Sequence, residues 1–202
     1  MIRERREENA LVPTNEDTCG PYFPICFGDE SLQDLTRIHP GVIAGASGQH
    51  IILRGRVLDR HGDLANGVVM EFWQANARGV YRTPRTQGHP DIDPWFHGYG
   101  RLRSASGEYS FRTILPGAAA GRAPNITVTL FSDGLNRIVT QAFFADHPGN
   151  DNDPLLSVLD EDDRRRLIAW HDGRTVDGAE VYRLDIVMAG KNETPFFDDF
   201  ES

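Results

Sequence analysis

From His50 onward, apolar and polar residues alternate over short runs. HIILRGRVLDRHGDLANGVVMEFWQANARGVYRT opens this region, and its runs are broken by the turn-forming HGD, ANG and ARG. GEYSFRTI continues the alternation, with Tyr109 and Phe111 directed to one face and Ser110 and Arg112 to the other. NITVTLF, RIVTQAFF, LIAWH and EVYRLDIVM follow. The pattern predicts about eight short strands with turns between them, the signature of an all-β antiparallel sandwich or barrel. One strong helix is predicted, Asp160–Arg166, where acids lead and bases trail as the helix dipole favours. A shorter helical signal lies at Ser31–Ile38.

Upstream of His50 the pattern is different. Residues 1–10 are highly charged without an apolar face and read as an N-terminal arm. Residues 11–48 are rich in Pro, Gly and Asp and read as an extended wrap. The wrap's aromatic cluster, Tyr22, Phe23 and Phe27, requires burial on the chain's own sandwich or on a partner. Residues 11–202 are therefore expected to form a single domain.

Composition narrows the function. A net charge of −9 argues against a nucleic-acid binder, and no apolar stretch is long enough to span a bilayer. The N-terminus lacks the apolar core of a secretory signal. Two cysteines, Cys19 and Cys26, make no disulfide framework in 202 residues, which favours a reducing, cytoplasmic setting. GxGxxG, P-loop, HExxH and GxSxG patterns are all absent.

WQAN-x-x-G-x-Y (Trp73 to Tyr81), taken together with SGEYSFRTILPG, resembles the intradiol ring-cleaving dioxygenases over about residues 14–200. The resemblance implies the prealbumin/Ig-like sandwich of the aromatic-compound dioxygenase fold. It also implies a ferric ion held by two tyrosinates and two histidines, hard donors suited to Fe(III). The first tyrosine matches Tyr81. The second belongs just after Pro-Gly, where this chain has Ala118 and Ala119. The two histidines belong to a Pro-Ala-His-x-His strand, where this chain reads Ala123-Pro124-Asn125-Ile126-Thr127 behind a shortened loop. Three of the four donors are thus replaced. Tyr81 then reads as a packed or hydrogen-bonded strand residue, and His89, His97, His147 and His171 are not spaced as a ligand pair. Arg122 aligns with an arginine that precedes the histidine strand in catalytic chains, and Gln141 with a glutamine near the iron. Both belong to a degenerate former site with no metal of its own.

In a two-chain, protocatechuate-cleaving branch of the family, a β chain carries the iron and a related α chain has lost its own site. The ending EVYRLDIVMAGKNETPFFDDF and the segment Thr18-Cys19-Gly20-Pro21-Tyr22 are similar to the α type. The resemblance implies that Thr18, Gly20, Pro21 and Tyr22 line the site of a neighbouring iron-bearing β subunit. That β subunit would hold Fe(III), catechol and O₂ within a larger α–β oligomer. One departure bears on the substrate: Asp133 stands where α chains often carry an arginine facing the substrate carboxylate. Two like charges in contact cost roughly 4 kcal/mol at an effective dielectric of 20. A second reading is a β-sandwich binding module for a small aromatic or carbohydrate, using Trp73, Trp95, Phe96 and Tyr99.

Overall fold

The computed structural model describes residues 33–38, 45–132 and 136–197. Its strands are β1 (His50–Leu58), β2 (Val68–Gln74), β3 (Tyr99–Ser104), β4 (Glu108–Ile114), β5 (Asn125–Ser132), β6 (Asn136–Phe144), β7 (Ile168–Arg174), β8 (Glu180–Arg183) and β9 (Ile186–Val187). Two short helices, α1 (Pro154–Val158) and α2 (Glu161–Arg166), connect β6 to β7. The strands run β3-β2-β5-β6-β7-β8-β1-β4, and β9 pairs with β1. The sheet is nearly closed. Its two ends, β3 and β4, are consecutive in the chain, and the Ser104 hydroxyl donates to the Glu108 carbonyl across the turn between them.

The alternation predicted from the sequence is present. Tyr109 and Phe111 are buried on β4, while Ser110 is exposed. The two halves of the sheet meet where Phe72 of β2 stacks on Phe111 of β4, ring centroids 3.8 Å apart. Val68, Val69 and Met70 are all buried, so β2 is covered on both faces and its run of apolar residues does not alternate.

Three differences from the sequence reading have physical causes. Pairing is mixed: β1–β8, β1–β9 and β6–β7 are parallel. The β6–β7 pair is joined by the two helices, since parallel neighbours need a crossover connection. EVYRLDIVM forms two strands rather than one. They part at Leu184-Asp185, where Asp185 turns to the Arg56 guanidinium at 2.6 Å. In the described part of Ser31–Ile38 there is no α-helix. Asp34 bridges to Arg112, and its carboxylate accepts from the Thr36 amide at 3.0 Å. The helix predicted at Asp160–Arg166 is α2, N-capped by Asp160, which accepts from the Asp163 amide at 2.8 Å. Thr18, Gly20, Pro21, Tyr22, both cysteines, the arm 1–10 and Asp133 lie outside the described residues.

Candidate functional site

The site is built on the loop that leaves β2. Gln74 is buried and ties the two halves of the sheet together. Its Nε2 donates to the Ile114 carbonyl at 2.9 Å, and its Oε1 accepts from the Thr113 hydroxyl at 2.7 Å. Asn76 then shapes the turn. Its Oδ1 accepts from the amides of Arg78 (2.9 Å) and Val80 (3.0 Å), and its Nδ2 donates to the Asp91 carbonyl at 2.7 Å. Two glycines interlock beneath it. Gly79 has φ 76°, and a Cβ there would lie 2.0 Å from the Ala118 carbonyl oxygen. A Cβ on Gly117 would lie 2.5 Å from the Gly79 nitrogen. Only residues without a side chain permit this approach of backbone to backbone.

This interlock places Tyr81 over the outer face of the sheet. Its ring stacks on Trp73, centroids 5.8 Å apart. Tyr81 lies in the loop after β2 rather than on the strand that the alternation predicted. Trp73 pairs in register with Thr127, and Thr127 with Gln141, so all three side chains share one face. Arg122 reaches that face and donates from Nη2 to Gln141 Oε1 at 2.8 Å. Tyr81, Thr127, Arg122 and Gln141 are therefore gathered. Asn125 is on the same face two residues from Thr127, but its Nδ2 is turned to the Ala123 carbonyl at 2.7 Å. Ala119 bridges to Arg122 across a tight turn with positive φ at both Ala120 (50°) and Gly121 (75°), the conformation of a two-residue type I′ hairpin.

Asp153 is the site residue that sequence reading missed. It is 1% exposed. It accepts from Arg122 Nε at 2.9 Å and from the amides of Ala123 (2.8 Å), Leu155 (2.9 Å) and Leu156 (3.2 Å). Burial pushes its carboxyl up, but the Arg122 guanidinium and the backbone amides outweigh that and leave it below the usual carboxylate range. The signal was present as Asp-Pro-Leu-Leu, an N-cap followed by proline at the first helical position, and it starts α1.

This donor set does not fit a ferric ion. Fe(III) favours anionic oxygen and imidazole. Here there is one phenol, a committed amide, a hydroxyl and a methyl group. Burial raises the Tyr81 phenol above its ordinary value, with Arg122 acting in the opposite direction, so the tyrosinate form is disfavoured. The histidines are dispersed. His89 Nδ1 accepts from Asp91, His147 Nδ1 accepts from Gly149, and His171 Nε2 pairs with Glu180 at 2.5 Å.

A cleft of about 820 Å³ opens on the other side of Trp73, bounded by Leu35, Arg82, Ile92 and Tyr99. Of the aromatics proposed as a binding platform, Trp73 and Tyr99 line it. Phe96 is 2% exposed and belongs to the core, which removes it from any such surface, and Trp95 is exposed.

The fold and the interlocked loops together define an intradiol dioxygenase scaffold, and comparison with known proteins agrees. The dioxygenase family profile matches residues 19–190, and the chain belongs to that family. It is 35% identical to the protocatechuate 3,4-dioxygenase alpha chain of Pseudomonas putida, over 93% of this chain and 97% of that one. It is also 35% identical to the protocatechuate 3,4-dioxygenase beta chain of Burkholderia cepacia, over 95% of this chain and 87% of that one. Among solved structures it matches the dioxygenase domain of a dioxygenase carbohydrate-binding protein fusion from Streptomyces sp. SirexAA-E. That match has a TM-score of 0.59 at 25% identity and covers 79% of this chain and 88% of that one. Among the described residues no helix is long and apolar enough to cross a membrane.

Proposed function

We propose that this chain is the α-type subunit of a protocatechuate 3,4-dioxygenase-like enzyme. It holds no iron of its own and works beside a homologous, iron-bearing β chain. That partner binds the catechol and O₂, and the ring opens there between its hydroxylated carbons. Two of its relatives, at 35% and 32% identity, are protocatechuate 3,4-dioxygenase alpha chains, which supports the α type. The observation that carries the reading is the donor set, with Ala119, Asn125 and Thr127 where a ferric site needs a phenolate and two imidazoles. Thr18, Gly20, Pro21 and Tyr22 are assigned to the wall of the partner's site, within a cytoplasmic α–β oligomer. Asp133, in place of a carboxylate-facing arginine, points to a catechol whose ring substituent differs from protocatechuate's.

Isolation from the native cell tests the pairing. The chain should co-purify with a homologue that has both tyrosines and the His-x-His pair. In that complex Thr18→Trp should lower turnover or raise KM at least tenfold without changing the iron content. Unchanged kinetics would remove residues 18–22 from the site, and isolation as an active homomer would contradict the subunit reading.

A further inference from the structure

We propose that the cleft beside Trp73 binds a flat organic anion, an aromatic or heteroaromatic carboxylate. Its ring would lie against Trp73 and Tyr99, and its carboxylate would meet Arg82. Three observations meet here. First, the volume, about 820 Å³, is in the range of small-molecule sites. Second, Trp73 and Tyr99 are direct partners across the β2–β3 ladder, so they form adjacent walls, with Leu35 and Ile92 adding apolar lining. Trp73 is backed by its stack with Tyr81, and Tyr99 by its hydroxyl, which donates to Glu71 Oε1 at 2.8 Å. Both walls are thereby held in place before any ligand arrives, which lowers the ordering cost of binding.

Third, the charge is suitable. Asp34 and Arg37 in the lining pair with each other at 3.1 Å. Arg82 is anchored by Nη1 to the carbonyls of Pro94 (3.2 Å) and Phe96 (3.5 Å), and among the described residues no carboxylate forms an ion pair with it. Its remaining N–H groups form a fork of the kind that receives a carboxylate in charge-assisted hydrogen bonds. An aromatic floor beside an anchored guanidinium selects a ligand that is flat at one end and anionic at the other. The inference does not depend on the subunit reading, because every group in it belongs to this chain.

Calorimetric titration with benzoate, on the full chain in its native complex, is the test. Saturable binding is expected that Arg82→Gln weakens by at least about tenfold, as loss of a charge-assisted pair does. Arg85→Gln, a neighbouring exposed arginine outside the cleft, should stay within about twofold of the wild type on the same grounds. Cyclohexanecarboxylate, with the same charge and no flat ring, should bind several-fold more weakly. No saturable benzoate binding that Arg82→Gln removes would overturn the proposal. Equal weakening by Arg85→Gln, or equal affinity for the two acids, would do the same.

Discussion

Two sets of residues lie side by side at the mouth of the sheet and obey different constraints. Gln74, Asn76, Gly79 and Gly117 hold the loop that carries Tyr81. They do so through buried hydrogen bonds and through backbone approaches that admit no Cβ. Ala119, Asn125 and Thr127, which the proposed reading assigns to a former iron site, make local contacts in this chain. Asn125 caps a neighbouring carbonyl, and Thr127 occupies a half-buried strand position. The first set is fixed by the fold, whereas on the proposed reading the second answered only to chemistry that this chain no longer performs.

The strongest way to break this contrast is at the interlock. Gly79→Val puts a β-branched residue at positive φ against the Ala118 carbonyl. It should cost on the order of 5 kcal/mol and prevent soluble folding, read as loss of a cooperative urea transition. A folded variant would show that the loops can separate.

Asp153→Ala comes next, at about 3–5 kcal/mol, because it leaves the Arg122 guanidinium and three amides without their acceptor. The same residue gives a pH signature. A carboxyl held below its ordinary value stabilises the folded state above the unfolded value, near pH 4, and loses that contribution as pH falls through the folded one. Other carboxyls share this acid limb, among them Asp172, lowered by Arg54, and Glu180, lowered by Arg174. The difference between wild type and Asp153→Asn should therefore be constant above about pH 5 and shrink in more acidic solution. A difference that grows with acid would reverse the assignment.

The smallest effect is expected at Thr127. Thr127→Val should change stability by no more than about 0.5 kcal/mol in urea melts. A cost near that of Asp153→Ala would mean that Thr127 has a structural task.

Much of this was legible in the chain. Period-two alternation gave β4, and the acid-to-base order of DEDDRRR gave α2, because both depend on local rules. WQANARGVY and SGEYSFRTILPG were visible as family motifs, but that Gly79 and Gly117 meet backbone to backbone was not, because the two segments lie far apart in the chain. Mixed pairing was not legible. Whether β8 lies parallel to β1 is set by packing between segments far apart in sequence. Asp153 was missed because its partner Arg122 is 31 residues away and meets it only once α1 is folded. The cleft was only half visible. The aromatic loop could be seen, but which of its rings faced outward depended on the register of β2 against β3.

Iron content is the most direct test of the central claim that this chain supports a metal site without owning one. The account predicts one iron per pair of chains in the isolated α–β complex. It also predicts that this chain, purified alone, has far less than one iron and no tyrosinate-to-iron visible band. Two irons per pair, or a coloured preparation of this chain with stoichiometric iron, would contradict it.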